Sequence, residues 1–183
     1  MKVVTLLILV LISLAVLAGK GQSAANNTAV DLFSRVQCGS DIPKALVGRT
    51  MTKESDAAVE ARHKALGLKD LGGSELSGGR FLSSWLICGS EYVLILDKKS
   101  MVRDALQFPE HSKTSPEFIG SCQVNGKEQP GEIIAVLNNQ VGAENLSAKS
   151  AWKIDLTKTK FVKLATEGMQ CPRSGIITAD GGN

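Results

Sequence analysis

Aromatic side chains are scarce: Phe, Trp and Tyr make up 4% of the 183 residues, so a hydrophobic core has to be assembled mainly from Val, Leu, Ile and Ala. Histidine occurs only twice, at His63 and His111, which leaves little scope for imidazole chemistry. The phosphate-cradling G-x-x-x-x-G-K-[ST] loop, the G-x-S-x-G nucleophile turn, C-x-x-C and the paired-histidine metalloprotease pattern are all missing. No cofactor and no metal site is therefore expected. Net charge is also low. The whole chain has 21 basic and 18 acidic residues, and setting aside 1–25, which holds Lys2, Lys20 and no acid, leaves 19 against 18. Such a surface has no field to attract nucleic acid or an anionic membrane, so no nucleic-acid partner is expected.

Long apolar runs are confined to the N-terminus. Lys2 precedes an almost unbroken apolar run over 3–18, followed by the polar, small-residue stretch 19–27. That order of charged, apolar and small-residue regions is the pattern of a secretory signal peptide. At about 1.5 Å per helical residue the run spans roughly 24 Å, short of the roughly 30 Å hydrocarbon core, which favours cleavage over anchoring. Small residues suit cleavage after Ala18 or after Ala25. The expected product is a secreted or periplasmic domain over 26–177 with a loose tail over 178–183, and no stable membrane anchor after cleavage.

Four cysteines are present, Cys38, Cys88, Cys122 and Cys171, at intervals of 50, 34 and 49 residues. An even count of widely spaced thiols in an exported chain reads as two disulfides. Three pairings are open; the one favoured here joins Cys38 to Cys88 and Cys122 to Cys171.

The periodicity changes along the chain. Leu32, Phe33 and Val36 recur at helical spacing in 29–36, Asp41 and Pro43 start a short second helix that Gly48 closes, and 53–66 carries acids first, His63 and Lys64 last and Gly67 beyond. Residues 71–79 hold four glycines and two serines and read as a separating loop. From 80 the period becomes two. Strands are expected over 80–88 and 91–97, joined by a type II′ turn at Gly89-Ser90, and a further strand over 101–108, where a helix is the alternative. Residues 118–124 lead into Asn125-Gly126, a type I′ hairpin signal; 132–137 follows Pro130-Gly131; 138–149 reads as a polar loop; and 151–156 pairs with 161–165. The fold class expected is α+β, with N-terminal helices packed on an antiparallel, hairpin-rich sheet and stapled by two disulfides.

Candidate site residues are few. His111 and Glu110 share a polar loop, where functional side chains often sit, and Glu60 and His63 lie three apart on a helix face, as acid–base partners would. The T-x-x-K stretches at Thr50 and Thr157 have the composition of a turn or cap. Trp85 and Trp152 alternate with apolar residues along their strands and are core anchors or, if exposed, partner-binding groups. Enzyme activity has no witness in the sequence, and the balance falls against it. The expected function is a non-catalytic exported binding module, an inhibitor or an envelope-associated accessory protein that contacts a protein or envelope component. The alternatives are a small secreted hydrolase using His111, and a structural protein of the envelope or matrix.

Overall fold

Residues 32–50 and 57–177 are described by a computed structural model, with the side chains of 57–59 excepted. The expected signal segment, the helix start at 53 and the tail after 177 lie outside these residues. Two short helices come first, α1 (Ile42–Leu46) and α2 (Ala57–Leu66). Asp41 caps α1, its carboxylate accepting the Lys44 N–H at 3.1 Å. A four-stranded antiparallel sheet follows in chain order: β1 (Lys69–Leu76), β2 (Arg80–Ile87), β3 (Ser90–Leu96) and β4 (Val102–Gln107).

Strand β3 is buried along both faces from Tyr92 to Leu96. Because successive side chains alternate, Tyr92, Leu94 and Leu96 join one cluster with Phe33, Leu46 and Leu66, whereas Val93 and Ile95 face a second sheet. That sheet contains β5 (Glu117–Gly120), β6 (Gln123–Val124), β7 (Lys127–Glu128), β8 (Ile133–Leu137), β9 (Asn145–Asp155), β10 (Lys160–Leu164), β11 (Met169–Pro172) and β12 (Ile176–Ile177). Strand β8 is likewise buried on both sides, with Ile134 and Val136 toward the first sheet and Ile133, Ala135 and Leu137 away from it. The long β9 pairs with β8 on one edge; on its other edge it holds β11 over its first residues and β10 over its last.

The two sheets share a core of Leu82, Val93, Ile95, Phe108, Ile134, Val136 and Ile154. Where β4 meets β10, the Asp104 carboxylate accepts the Phe161 N–H at 2.8 Å and closes the seam between them. Disulfides join Cys38 to Cys88 and Cys122 to Cys171, the first tying the N-terminal segment to the β2–β3 turn and the second buried in the outer cluster of the second sheet. Two disulfides suggest an oxidising, extracellular or periplasmic environment. Among the described residues no helix is long and apolar enough to cross a membrane.

The α+β expectation is overturned. Among the described residues strands take up 50% and helices 11%, so this is a mostly β fold of two antiparallel sheets, without a helical layer on a single sheet. Two errors produced the expectation. Leu32, Phe33 and Val36 do reach one apolar surface, but through a turn in which Val36 N–H meets the Phe33 carbonyl at 3.0 Å, and one turn satisfies their spacing as well as a helix does. The glycine-rich stretch at 71–79 belongs largely to β1, paired with β2 from Lys69 to Leu76. Gly73 reflects close approach: a Cβ there would lie 2.1 Å from the Leu82 carbonyl oxygen. Two smaller differences concern turns and loops. The β2–β3 turn places Cys88 and Gly89 at φ 53° and 81°, the type I′ pattern, so the tight turn falls one residue earlier than expected. Residues 145–149, read as loop, open β9 and alternate into the core through Leu146 and Ala148. Residues 102–107 are strand, and Asn125-Gly126 turns with φ of 52° and 76°.

Candidate functional site

Three elements meet at one end of the inter-sheet core. Glu91 is the second residue of β3, and its carbonyl accepts the Phe108 N–H at 2.9 Å, which extends the β3–β4 pairing by one step and fixes the start of the following loop. That loop carries His111 and is held at its far side. Ser112 and Ser115 exchange backbone hydrogen bonds at 2.9 and 3.0 Å, and the Asn139 side chain donates to the Lys113 carbonyl at 2.8 Å. The chain then enters β5 at Glu117. Alternation sends Phe118 into the outer cluster and Glu117, with Ile119, toward the first sheet.

This register buries a carboxylate. Glu117 is 7% exposed, and its Oε1 has no hydrogen-bond partner. Beside it, Nε2 of His111 donates to Oε2 of Glu91 at 2.8 Å, with the His111 and Glu91 side chains 30% and 12% exposed. One ligand atom from each of Glu91, His111 and Glu117 lies within 4.8 Å of the others. Burial first, and the Glu91 charge second, push the Glu117 carboxyl up from 4.5 to about 7 against the opposing effect of His111. The cluster thus combines the Glu91 carboxylate and the His111 imidazole with a Glu117 carboxyl that is close to half-protonation at neutral pH. Such a set can bind a cation or hold and release a proton.

Two of the three, Glu91 and His111, line a hollow of about 470 Å³ between the β2–β3 turn and the loop after β4, with Leu86, Ser90, Phe108 and Glu110 among its other residues. Its acids outnumber its one imidazole. A larger hollow of about 820 Å³ lies beside Gly142–Asn145 and Arg173; the Arg173 guanidinium is engaged there with the Ala143, Gln140 and Asn139 oxygens, and Glu144 on its lining is exposed.

The residues singled out from the sequence divide into two groups. His63 and Trp85 both pack on Phe33, with ring centroids 5.5 and 4.9 Å away, in the cluster on the outer face of the first sheet. His111 and Trp152 both pack on Phe108, at 5.8 and 6.1 Å, in the inter-sheet core. The two histidines are therefore on opposite faces of the first sheet. Glu110 lines the hollow, while the carboxylate on His111 is that of Glu91, twenty residues earlier. Trp85 is half-buried and donates its indole N–H to Ser83 Oγ at 2.8 Å. The T-x-x-K stretch at 157–160 builds a turn, its Thr157 hydroxyl and N–H both bound by the Asp155 carboxylate.

Sequence reasoning did not find Glu91 and Glu117. Each is a polar residue at a strand end, which reads as solvent-facing until a second sheet is stacked over it. No protein-family model matches this chain, and neither the curated proteins nor the solved structures yield a match.

Proposed function

We propose that this chain is an exported, non-catalytic binding module whose ligand presents a cationic group to the polar hollow at Glu91 and His111. The observation that carries the reading is the buried Glu117 carboxylate, with one oxygen unpaired, close to Glu91 and His111, which line an acid-bearing opening. A buried unsatisfied oxygen is costly, and an incoming positive charge is the natural way to relieve it. The rigid setting also supports recognition, because the His111 loop is pinned on both sides. Secretion or periplasmic residence fits the disulfides, and the ligand would belong to a protein or envelope component of that compartment.

A hydrolase is the second reading, and one observation favours it: a histidine hydrogen-bonded to a glutamate, next to a carboxyl that titrates near neutrality, is the material of general acid–base catalysis. Binding is preferred because Nε2 of His111 is turned onto a carboxylate and not toward a hydroxyl nucleophile. Calorimetric titration of the oxidised protein with a lysine-rich peptide, a polyamine and an anionic control tests the choice. Saturable binding of the cationic ligands, weakened in Glu91→Gln, is expected. Turnover of ester, glycoside or peptide substrates that is lost in His111→Ala, without saturable binding, would overturn it.

A further inference from the structure

We propose that Glu91, His111 and Glu117 form a site for a divalent transition-metal cation of the zinc class, bound through Nε2 of His111 and one carboxylate oxygen from each glutamate. The proposal rests on the reading of this hollow as a cation-binding site and names its occupant.

Geometry comes first. The three ligand atoms lie within 4.8 Å of one another and come from β3, the loop after β4 and β5, each independently fixed. Bonds of about 2.0–2.1 Å in a tetrahedron separate ligand atoms by roughly 3.3 Å. The 2.8 Å contact between His111 and Glu91 would widen by a few tenths of an ångström, and Glu117 would close by a comparable or larger step. For Nε2 to bind, the proton that bridges to Glu91 must leave it and the neutral ring must carry its one proton on Nδ1, so that the freed Nε2 lone pair takes the cation where the proton was.

Chemistry selects the metal. An imidazole with two carboxylates is a mixed nitrogen and oxygen set that suits zinc and its first-row neighbours, whereas calcium and magnesium prefer oxygen alone. The unpaired Oε1 is the second, independent indication. A carboxylate 93% withdrawn from solvent, with one oxygen lacking any donor, is incomplete as a purely structural group. A divalent cation would satisfy it and cancel the repulsion between Glu91 and Glu117. Three protein ligands leave a fourth position open to the hollow, where a water or a donor atom of a partner would sit.

The test uses the full oxidised chain with Zn²⁺, Co²⁺ and Ca²⁺ as probes, read by calorimetry, thermal melting and, for Co²⁺, visible absorption. One equivalent of Zn²⁺ is expected to bind saturably and raise the melting temperature. Co²⁺ should develop the d–d bands of a four- or five-coordinate site, and Ca²⁺ at the same concentrations should do neither. Glu117→Gln and His111→Ala should each weaken Zn²⁺ binding on the order of tenfold or more, with Glu75→Gln on the exposed β1 as an unaffected control. Circular dichroism identifies any variant that does not fold, and Glu91→Gln then replaces it. Absence of saturable Zn²⁺ and Co²⁺ binding to the folded wild type overturns the proposal, as does binding undiminished by both substitutions. If Zn²⁺ fails while a polyamine still binds and Glu91→Gln weakens it, the metal falls and the cation-binding module stands.

Discussion

Nε2 of His111 and Oε2 of Glu91 are 2.8 Å apart, and both groups bear with opposite sign on the same third residue, Glu117. The Glu91 charge makes ionisation of Glu117 harder, and His111 makes it easier. Removing each in turn should therefore move the Glu117 titration in opposite directions. In metal-free buffer, carboxyl-detected NMR should show a lower midpoint for Glu117 in Glu91→Gln than in the wild type, and a higher one in His111→Ala. An unchanged midpoint in both variants would mean that burial alone governs the carboxyl.

The raised Glu117 carboxyl also fixes a stability profile. Its unfolded value is near 4.5 and its folded value about 7. Below 4.5 both states hold the proton and the group is neutral in its effect. Between the two values the unfolded chain releases the proton first, so stability falls as pH rises, and above 7 the full penalty is present. A difference of this size corresponds to a penalty on the order of 3 kcal/mol. With a chelator present, Glu117→Gln should melt several degrees above the wild type at pH 8, at roughly 2–4 °C per kcal/mol, and with no advantage at pH 4.5. Melting curves across that range check it. An advantage independent of pH would point to packing instead of charge.

How much of this was legible in the sequence depends on how local each signal is. Asn125-Gly126 forces its turn because both residues tolerate positive φ, and the strands at 80–87, 90–96 and 160–164 are short runs rich in apolar, β-branched and aromatic residues bounded by turns. Cysteine number and spacing indicated two staples, and the structure forms both. The fold class failed where one pattern served two conformations. Leu32, Phe33 and Val36 satisfy a helix or a turn equally, and Gly72-Gly73 suggests a loop unless the Leu82 carbonyl opposite is known. His111 was accessible as a loop histidine, but its partners were not. Glu91 and Glu117 are twenty residues before it and six after, outside any short motif, and only stacking of one sheet on another buries Glu117.

The place of Gly73 can be tested directly. A methyl group there would have to sit 2.1 Å from the Leu82 carbonyl oxygen, a backbone atom that cannot swing aside. Gly73→Ala should then push β1 off β2 and cost about 1–3 kcal/mol, the usual range for overpacking. Urea denaturation of Gly73→Ala against Ser74→Ala, an exposed neighbour on the same strand, measures it. Equal midpoints would show that the glycine is tolerated there and not required.

The two disulfides close loops of almost equal length, with separations of 50 and 49 residues. Loop-closure entropy gives each about 4 kcal/mol, so on that ground alone their removal would be equivalent. Burial separates them. Cys122 and Cys171 are 0% exposed within the outer cluster, whereas Cys38 is exposed and Cys88 half-buried. Thiol–disulfide exchange needs access for the attacking thiolate, so mild reduction should open Cys38–Cys88 first. Its loss frees the N-terminal segment that covers Tyr92 and Leu94, while the inter-sheet core with Phe108 is retained. Alkylation followed by mass spectrometry should find no free thiol before reduction, then label at Cys38 and Cys88 well before Cys122 and Cys171. The reverse order would mean that the second sheet opens more readily than the N-terminal cover, contrary to the complete burial of Cys122 and Cys171.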